Sequence, residues 1–183
     1  MKIRMLEKAN KKDIQIFKEF AFHLYQGNKF WVPPIPGEIE NAMTPDRHPF
    51  YINSEADFFI VEEGREVLGR IAVLNNHNYC EYRQCNIAFF YYFESVDDPQ
   101  VSRLLFQAAE EWSRKRKLDS LMGPRGFLRS TGIGLLVDGF DQLPAMGIPY
   151  NFQYYPKLLE DAGFIKDHDH LSGYLDRRPD ESI

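Results

Sequence analysis

The chain is 183 residues long, enough for one domain that buries a core without staples. Its 22 basic and 27 acidic residues give a formal charge of −5, which argues against a general nucleic-acid binder, because phosphate affinity needs a basic face. Two cysteines, Cys80 and Cys85, make no disulfide framework and read as free thiols, and no apolar run approaches the roughly 18 residues a membrane span needs.

In chain order, Lys2–Leu6 alternates as a short strand, and Asn10 to Asp13 offers a cap for a helix over Asp13–Gln26. Ile14, Phe17, Phe20, Ala21, Leu24 and Tyr25 recur there at helical spacing, so they read as its core face. Gly27-Asn28 closes it. Trp31–Pro36 is not helix, because each proline biases its predecessor towards extended geometry. Glu38–Met43 reads as a short helix and Thr44–Ser54 as a long ordered loop. Ala56–Glu62 and Glu66–Asn75 flank a Gly-containing turn and form a hairpin. His77 falls in the loop that follows, and Gln84–Ser95 is long and apolar enough for a central strand.

Asp98 as cap, Pro99 at the first helical position and an apolar stripe through Val101, Leu105, Ala108 and Trp112 predict a helix over Asp98–Lys117. The basic run Arg114–Lys117 falls at its C-terminus, where cations complement the helix dipole. Leu118–Gly123 follows as a strand, so Ile87–Gly123 is a β–α–β unit with parallel strands. Phe127–Ile148 is glycine-rich and reads mostly as loop. Tyr154–Ala162 is a helix closed by Gly163, and Phe164–Leu175 returns as a strand. Residues 1–176 are therefore read as a single domain, with a charged tail at 177–183 that looks like the start of a linker.

The order of elements, with Asn151, an aromatic cluster, a short helix and Gly163-Phe164 at the end, resembles the GNAT acetyltransferase superfamily over most of the chain. Three blocks, Leu24–Pro34, Phe89–Val101 and Gly134–Phe164, are similar to an uncharacterised bacterial group within it. The resemblance implies an α/β fold (α+β in some schemes): a mixed, mostly antiparallel central sheet with helices on both faces. It also implies acyl transfer from acetyl-CoA or another acyl-CoA, as co-substrate, to a small amine of unknown identity, without a metal. Acetyl is the expected acyl group.

By the same resemblance the cofactor-binding residues are Phe93, Ser95 and Val96 at the strand end, Gln100, Val101, Ser102 and Arg103 at the helix start, and Asn151. The family's diphosphate loop is rich in glycine, because close backbone approach and helix-terminal N–H groups favour an anion. Here the loop is Val96–Ser102, which has no glycine, carries Asp97 and Asp98, and loses an N–H donor at Pro99. An Asp-Pro cap that merely stabilises the helix fits the same residues.

Acylating an amine calls for a base at the nucleophile and an acid at the leaving thiolate. Glu94, at the end of the central strand, is the candidate base, with a solvated strand-end carboxylate as the alternative. The family's acid is a Tyr four residues before Gly-Phe. That position is Leu159 here, so Tyr155, one helical turn earlier, is the candidate acid, with aromatic packing as the alternative. Asn151 either contacts the pantetheine arm or caps the following helix.

Arg129-Ser130-Thr131-Gly132-Ile133-Gly134 matches the spelling of a phosphate loop, but the residues after it leave no room for the helix such a loop needs. His168 and His170 would share one strand face and could pair on a metal, yet no third ligand lies nearby, so an exposed face is the preferred reading. A second class of function therefore stands beside catalysis: a degenerate GNAT-like domain serving as a ligand-binding or protein-interaction module. A third is an aminoacyl transferase built from paired domains of this type. The expected compartment is the cytoplasm, with no nucleic-acid or membrane partner and with a homodimer or a second GNAT-like domain as candidate assemblies.

Overall fold

A computed structural model describes residues 1–128, 131–145 and 147–173. The strands are β1 (Lys2–Met5), β2 (Glu55–Glu63), β3 (Glu66–Asn75), β4 (Ile87–Ser95) and β5 (Ser120–Met122). They form one sheet in the order β1-β2-β3-β4-β5. The first three pairings are antiparallel, and β4 runs parallel to β5. The helix α4 (Pro99–Lys115) makes the crossover between that parallel pair. Helices α1 (Lys11–Leu24) and α2 (Glu38–Ala42) cover one face, burying Phe17, Ile39 and Met43 against Phe58 and Ile60. On the other face, α4 and α5 (Tyr155–Asp161) bury Leu105 and Leu158 against Val61, Ile71 and Phe90. Each fully buried side chain of this size is worth roughly 1.5–3 kcal/mol.

Local chemistry sets the element ends. Asn10 caps α1 by accepting from the amides of Lys12 and Asp13 at 3.0 and 3.3 Å. Gly163 takes a φ of 92° just past α5, where a residue with a Cβ would be strained. At the other end of α4, Arg116 lies 3.7 Å over the Trp112 ring and pairs with Glu55 and Asp57 at 2.9 and 3.3 Å. For Arg116 the basic run is thus structural.

Several expectations need correction. A short helix, α3 (His77–Arg83), occupies the stretch read as loop around His77, and β4 begins only at Ile87. The polar run from His77 to Gln84 carries no apolar stripe to announce a helix. Asn76 nonetheless caps it at 3.0 Å through the Tyr79 amide, and Tyr79 packs on Phe89.

The strand expected over Phe164–Leu175 is absent from its described part, 164–173; Tyr174, Leu175 and the tail 177–183 lie outside the described residues. Phe164 turns into the core against Phe90 and Phe106, and every residue from 165 to 173 is exposed, Ile165 and Leu171 by 91% and 98%, so no apolar side chain beyond Phe164 ties the segment to the sheet. His168 and His170 consequently sit on no strand. Their Nε2 atoms are 3.0 Å apart, and no group of three metal-ligating residues occurs among the described residues. Thr44–Ser54, the expected ordered loop, contains two single 3₁₀ turns.

Candidate functional site

The parallel pairing of β5 with β4 ends at Met122 opposite Phe89. The Arg125 amide then donates to the Phe90 carbonyl at 2.8 Å, and the chain leaves the sheet. Gly123 allows this close passage, since a Cβ there would lie 2.6 Å from the Phe90 carbonyl oxygen. The rest of β4, through Ser95, therefore presents its backbone to whatever packs beside it.

A β-bulge decides which side chains gather at that edge. The register of β3 with β4 shifts between Arg70 and Ala72, and Tyr92 adopts a φ of 49°. Alternation before the bulge puts Phe90 on the α4 face and Phe89 on the α1 face. Unbroken, it would carry Glu94 to the α4 side. The extra residue resets the count, so Phe93 packs with Phe106 and Tyr155, while Glu94 stands opposite Arg70.

Glu94 is largely shielded rather than solvated, with 14% of its side chain exposed. Its Oε2 accepts from two phenols, Tyr155 from α5 and Tyr25 from the end of α1, each at 2.6 Å. Oε1 faces Arg70 Nη2 at 3.9 Å. Burial pushes the Glu94 carboxyl above its ordinary range, while Arg70 and the two phenols pull it back without cancelling the rise. Burial, and then the Glu94 charge, push the Tyr25 and Tyr155 phenols well above theirs. A carboxyl and a phenol shifted and touching at the end of a strand can pass a proton between them, the arrangement that general acid–base work requires.

The sequence candidates Glu94 and Tyr155 are thus in direct contact. Tyr25 and Arg70 were not singled out. Tyr25 fell on the apolar stripe of α1 and read as core. It is indeed buried, stacked between Trp31 and Phe152 at 4.9 and 4.8 Å, but its hydroxyl reaches the carboxylate. A signal for Arg70 was present: an arginine inside the buried run Val67–Leu74 must find a partner.

The residues implied as cofactor-binding are placed as follows. Phe93 and Val101 are in the core, and Val96 donates its amide to the Leu68 carbonyl. Ser95 is fully buried; its amide donates to the Tyr155 hydroxyl at 3.1 Å, and its carbonyl accepts from the Tyr154 hydroxyl at 2.7 Å. The Gln100 amide donates to the Asp98 carboxylate at 2.7 Å, and the amides of Val101 and Ser102 donate to the Asp98 carbonyl at 3.1 and 3.3 Å. With Pro99 lacking an N–H, each first-turn donor already has a partner within the chain. A diphosphate here would have to displace the Asp98 cap, so the loop as it stands does not fit that group.

Arg103 is exposed and lines a cavity of about 410 Å³ with Gln100 and Gln107. Asn151 does not cap α5. Its side chain holds the Leu136 backbone from both sides, at 2.7 and 3.1 Å. Of the phosphate-loop spelling, Arg129 and Ser130 lie outside the described residues, and among the described ones no helix begins after Gly134 until α5 at Tyr155. Cys80 and Cys85 are free thiols.

No family model matches the chain. It is 27% identical over 168 residues to the protein YghO of Escherichia coli and 30% identical over 140 residues to a bacterial ceramide synthase of Caulobacter vibrioides. These alignments cover 92% and 76% of this chain but only 43% and 36% of the relatives, so the chain spans less than half the length of the curated proteins it matches. Among solved structures it is similar to an aminoglycoside acetyltransferase from an uncultured soil metagenomic sample, with a TM-score of 0.56 at 10% identity over 97% of this chain and 96% of that one. It is also similar to a putative acetyltransferase from Agrobacterium tumefaciens, with a TM-score of 0.52 at 13% identity over 97% and 100%. The fold is therefore that of the GNAT-like acetyltransferases. No helix among the described residues is long and apolar enough to cross a membrane.

Proposed function

We propose that this GNAT-like domain transfers an acyl group from an acyl-CoA thioester to the amino group of a second substrate. The observation that carries the reading is the convergence of two tyrosine hydroxyls on one largely shielded carboxylate, on the part of β4 beyond its pairing with β5. In the reaction, the neutral amine nitrogen attacks the thioester carbonyl, and Glu94 takes the proton that this nitrogen sheds as the amide forms. The C–S bond breaks as the C–N bond forms, and the departing thiolate takes the Tyr155 proton. A free phenolate at Tyr155 is disfavoured, because burial pushes this phenol far up. The carboxyl proton of Glu94 therefore returns to Tyr155 across their 2.6 Å contact as the thiolate leaves. The sum is amine plus thioester giving amide plus thiol.

A ceramide is an amide of a long-chain amine, so the name of the Caulobacter relative supports an acceptor whose amino group sits on an apolar chain. The aromatic wall beside the site, Trp31 and Phe152 against Tyr25 with Phe22 edge-on to Trp31, suits such a chain. The test is to incubate the protein with acetyl-CoA and longer acyl-CoAs against amines of increasing chain length and to detect the amide by mass spectrometry. Amide formed in proportion to released thiol supports the reading; no amide with any pair contradicts it.

One observation favours the second reading, a non-catalytic ligand-binding or interaction module: the occupied amides at the start of α4 leave a coenzyme A diphosphate no free helix donor. A thermal-shift titration with coenzyme A separates the two, since a specific ligand at ~100 times its dissociation constant adds roughly 2.7 kcal/mol of stability.

A further inference from the structure

Arg70 lies in the middle of the sheet with 1% of its surface exposed, a placement that is unfavourable for a guanidinium unless its charge is answered. Its hydrogen bonding is incomplete. Nη1 donates to the Phe17 carbonyl of α1 at 2.6 Å, while Nε, also buried, has no partner among the described residues. The group is clamped between the rings of Phe17 and Tyr92, 4.8 and 5.5 Å from its central carbon. A bridge built for cohesion uses the two-pronged arginine fork at roughly 2.7–2.9 Å. Here Nη2 stands 3.9 Å from Glu94 Oε1, so the contact is through charge, and the position of Arg70 is set by α1 and the two rings.

The other titratable groups around Glu94 are phenols or carboxylates. Tyr25 comes from the end of α1, and Tyr154 and Tyr155 from α5. Tyr91 and Tyr92 come from β4, Glu38 reaches Tyr92 from α2 at 3.0 Å, and Asp97 follows β4. None of these supplies a positive charge.

We propose that Arg70 is a positioning residue that keeps Glu94 an anion, fixing Oε1 by charge so that Oε2 stays aimed at the Tyr25 and Tyr155 hydroxyls. The consequence for catalysis rests on the acyl-transfer reading, but the charge relation between the two residues does not, and its test needs no substrate. Urea unfolding of the wild type, Arg70→Met, Glu94→Gln and the double variant is measured at pH 7.5 and at pH 4. Expected at pH 7.5 is a coupling of at least about tenfold in the unfolding constant, with Glu94→Gln rescuing Arg70→Met. At pH 4, where the carboxyl is protonated, the coupling is expected to vanish. Additive effects at both pH values would overturn the proposal, since a packing role responds to neither the partner nor the proton.

Should Arg70→Met fail to fold at pH 7.5, recovery of folding in the double variant counts for the proposal. Should neither fold, the infrared difference spectrum of wild type minus Glu94→Gln at pH 7 decides. An ionised carboxylate band, kept in Arg70→Lys, supports the proposal; a protonated carboxyl band overturns it. Absence of acyl transfer in any assay would leave this result standing, so the two readings fail separately.

Discussion

Two neighbouring places in this chain, the end of β4 and the start of α4, handle their polar groups in opposite ways. At the start of α4, Asp98 satisfies the amides of Gln100, Val101 and Ser102, all within four residues of itself. At the end of β4, Glu94 is answered by Tyr25, Arg70 and Tyr155, brought from three other elements, and its carboxyl remains shifted upwards by burial. Local satisfaction is what a stable helix needs and asks nothing of the rest of the fold. A buried titratable group assembled from distant segments holds free energy that only the folded chain can sustain, and such groups concentrate at functional sites.

The sharpest way to break this comparison is chemical. Glu94→Gln is expected to lower acyl transfer by about 10²–10⁴-fold, measured as amide formed per enzyme. Tyr155→Phe should lower it by a similar order and also destabilise the fold by about 1–3 kcal/mol, because it leaves the buried Ser95 amide without an acceptor; urea unfolding reads the second effect.

The pH dependence has a definite sign. Because the folded-state carboxyl of Glu94 is raised, protonation favours the fold. Its contribution is complete below the unfolded value of about 4.3 and is lost as pH rises from there through the folded value. Glu94→Gln removes that loss, so the stability of this variant relative to wild type should climb between about pH 4 and neutrality. A flat difference would mean that the carboxyl is not perturbed.

How much of this was readable beforehand follows the same division. The Asn10 cap, the Asp98-Pro99 start and the Gly163 stop depend on neighbours in sequence, and each stands where the residues indicated. Glu94 was legible as a strand-end carboxylate and Tyr155 as a residue near the helix start. Tyr25 was not legible as a site residue, because an aromatic on an apolar stripe reads as core until the fold brings in Glu94 from 69 positions away. Nor was the bulge at Tyr92, a left-handed tyrosine in an otherwise regular apolar run. The strand expected after Phe164 fails because every residue from 165 to 173 is exposed, so no apolar side chain beyond Phe164 ties the segment to the sheet.

On the other side of the comparison, Asp98→Ala should cost about 1 kcal/mol of stability through the lost cap, seen in thermal or urea unfolding. It should also tighten coenzyme A if this loop takes the diphosphate, because a donor is freed and a carboxylate removed. Unchanged binding would place the diphosphate elsewhere. Tyr25→Phe, which leaves Tyr155 on the carboxylate, is expected to cost about 0.5–1.5 kcal/mol, comparable with the lost cap.

The most direct test of the account compares wild type and Glu94→Gln for amide formation from one acyl-CoA and one long-chain primary amine, with both proteins shown to be folded. The account predicts product from the wild type and a loss of at least about 100-fold in the variant. Equal product from both would contradict it.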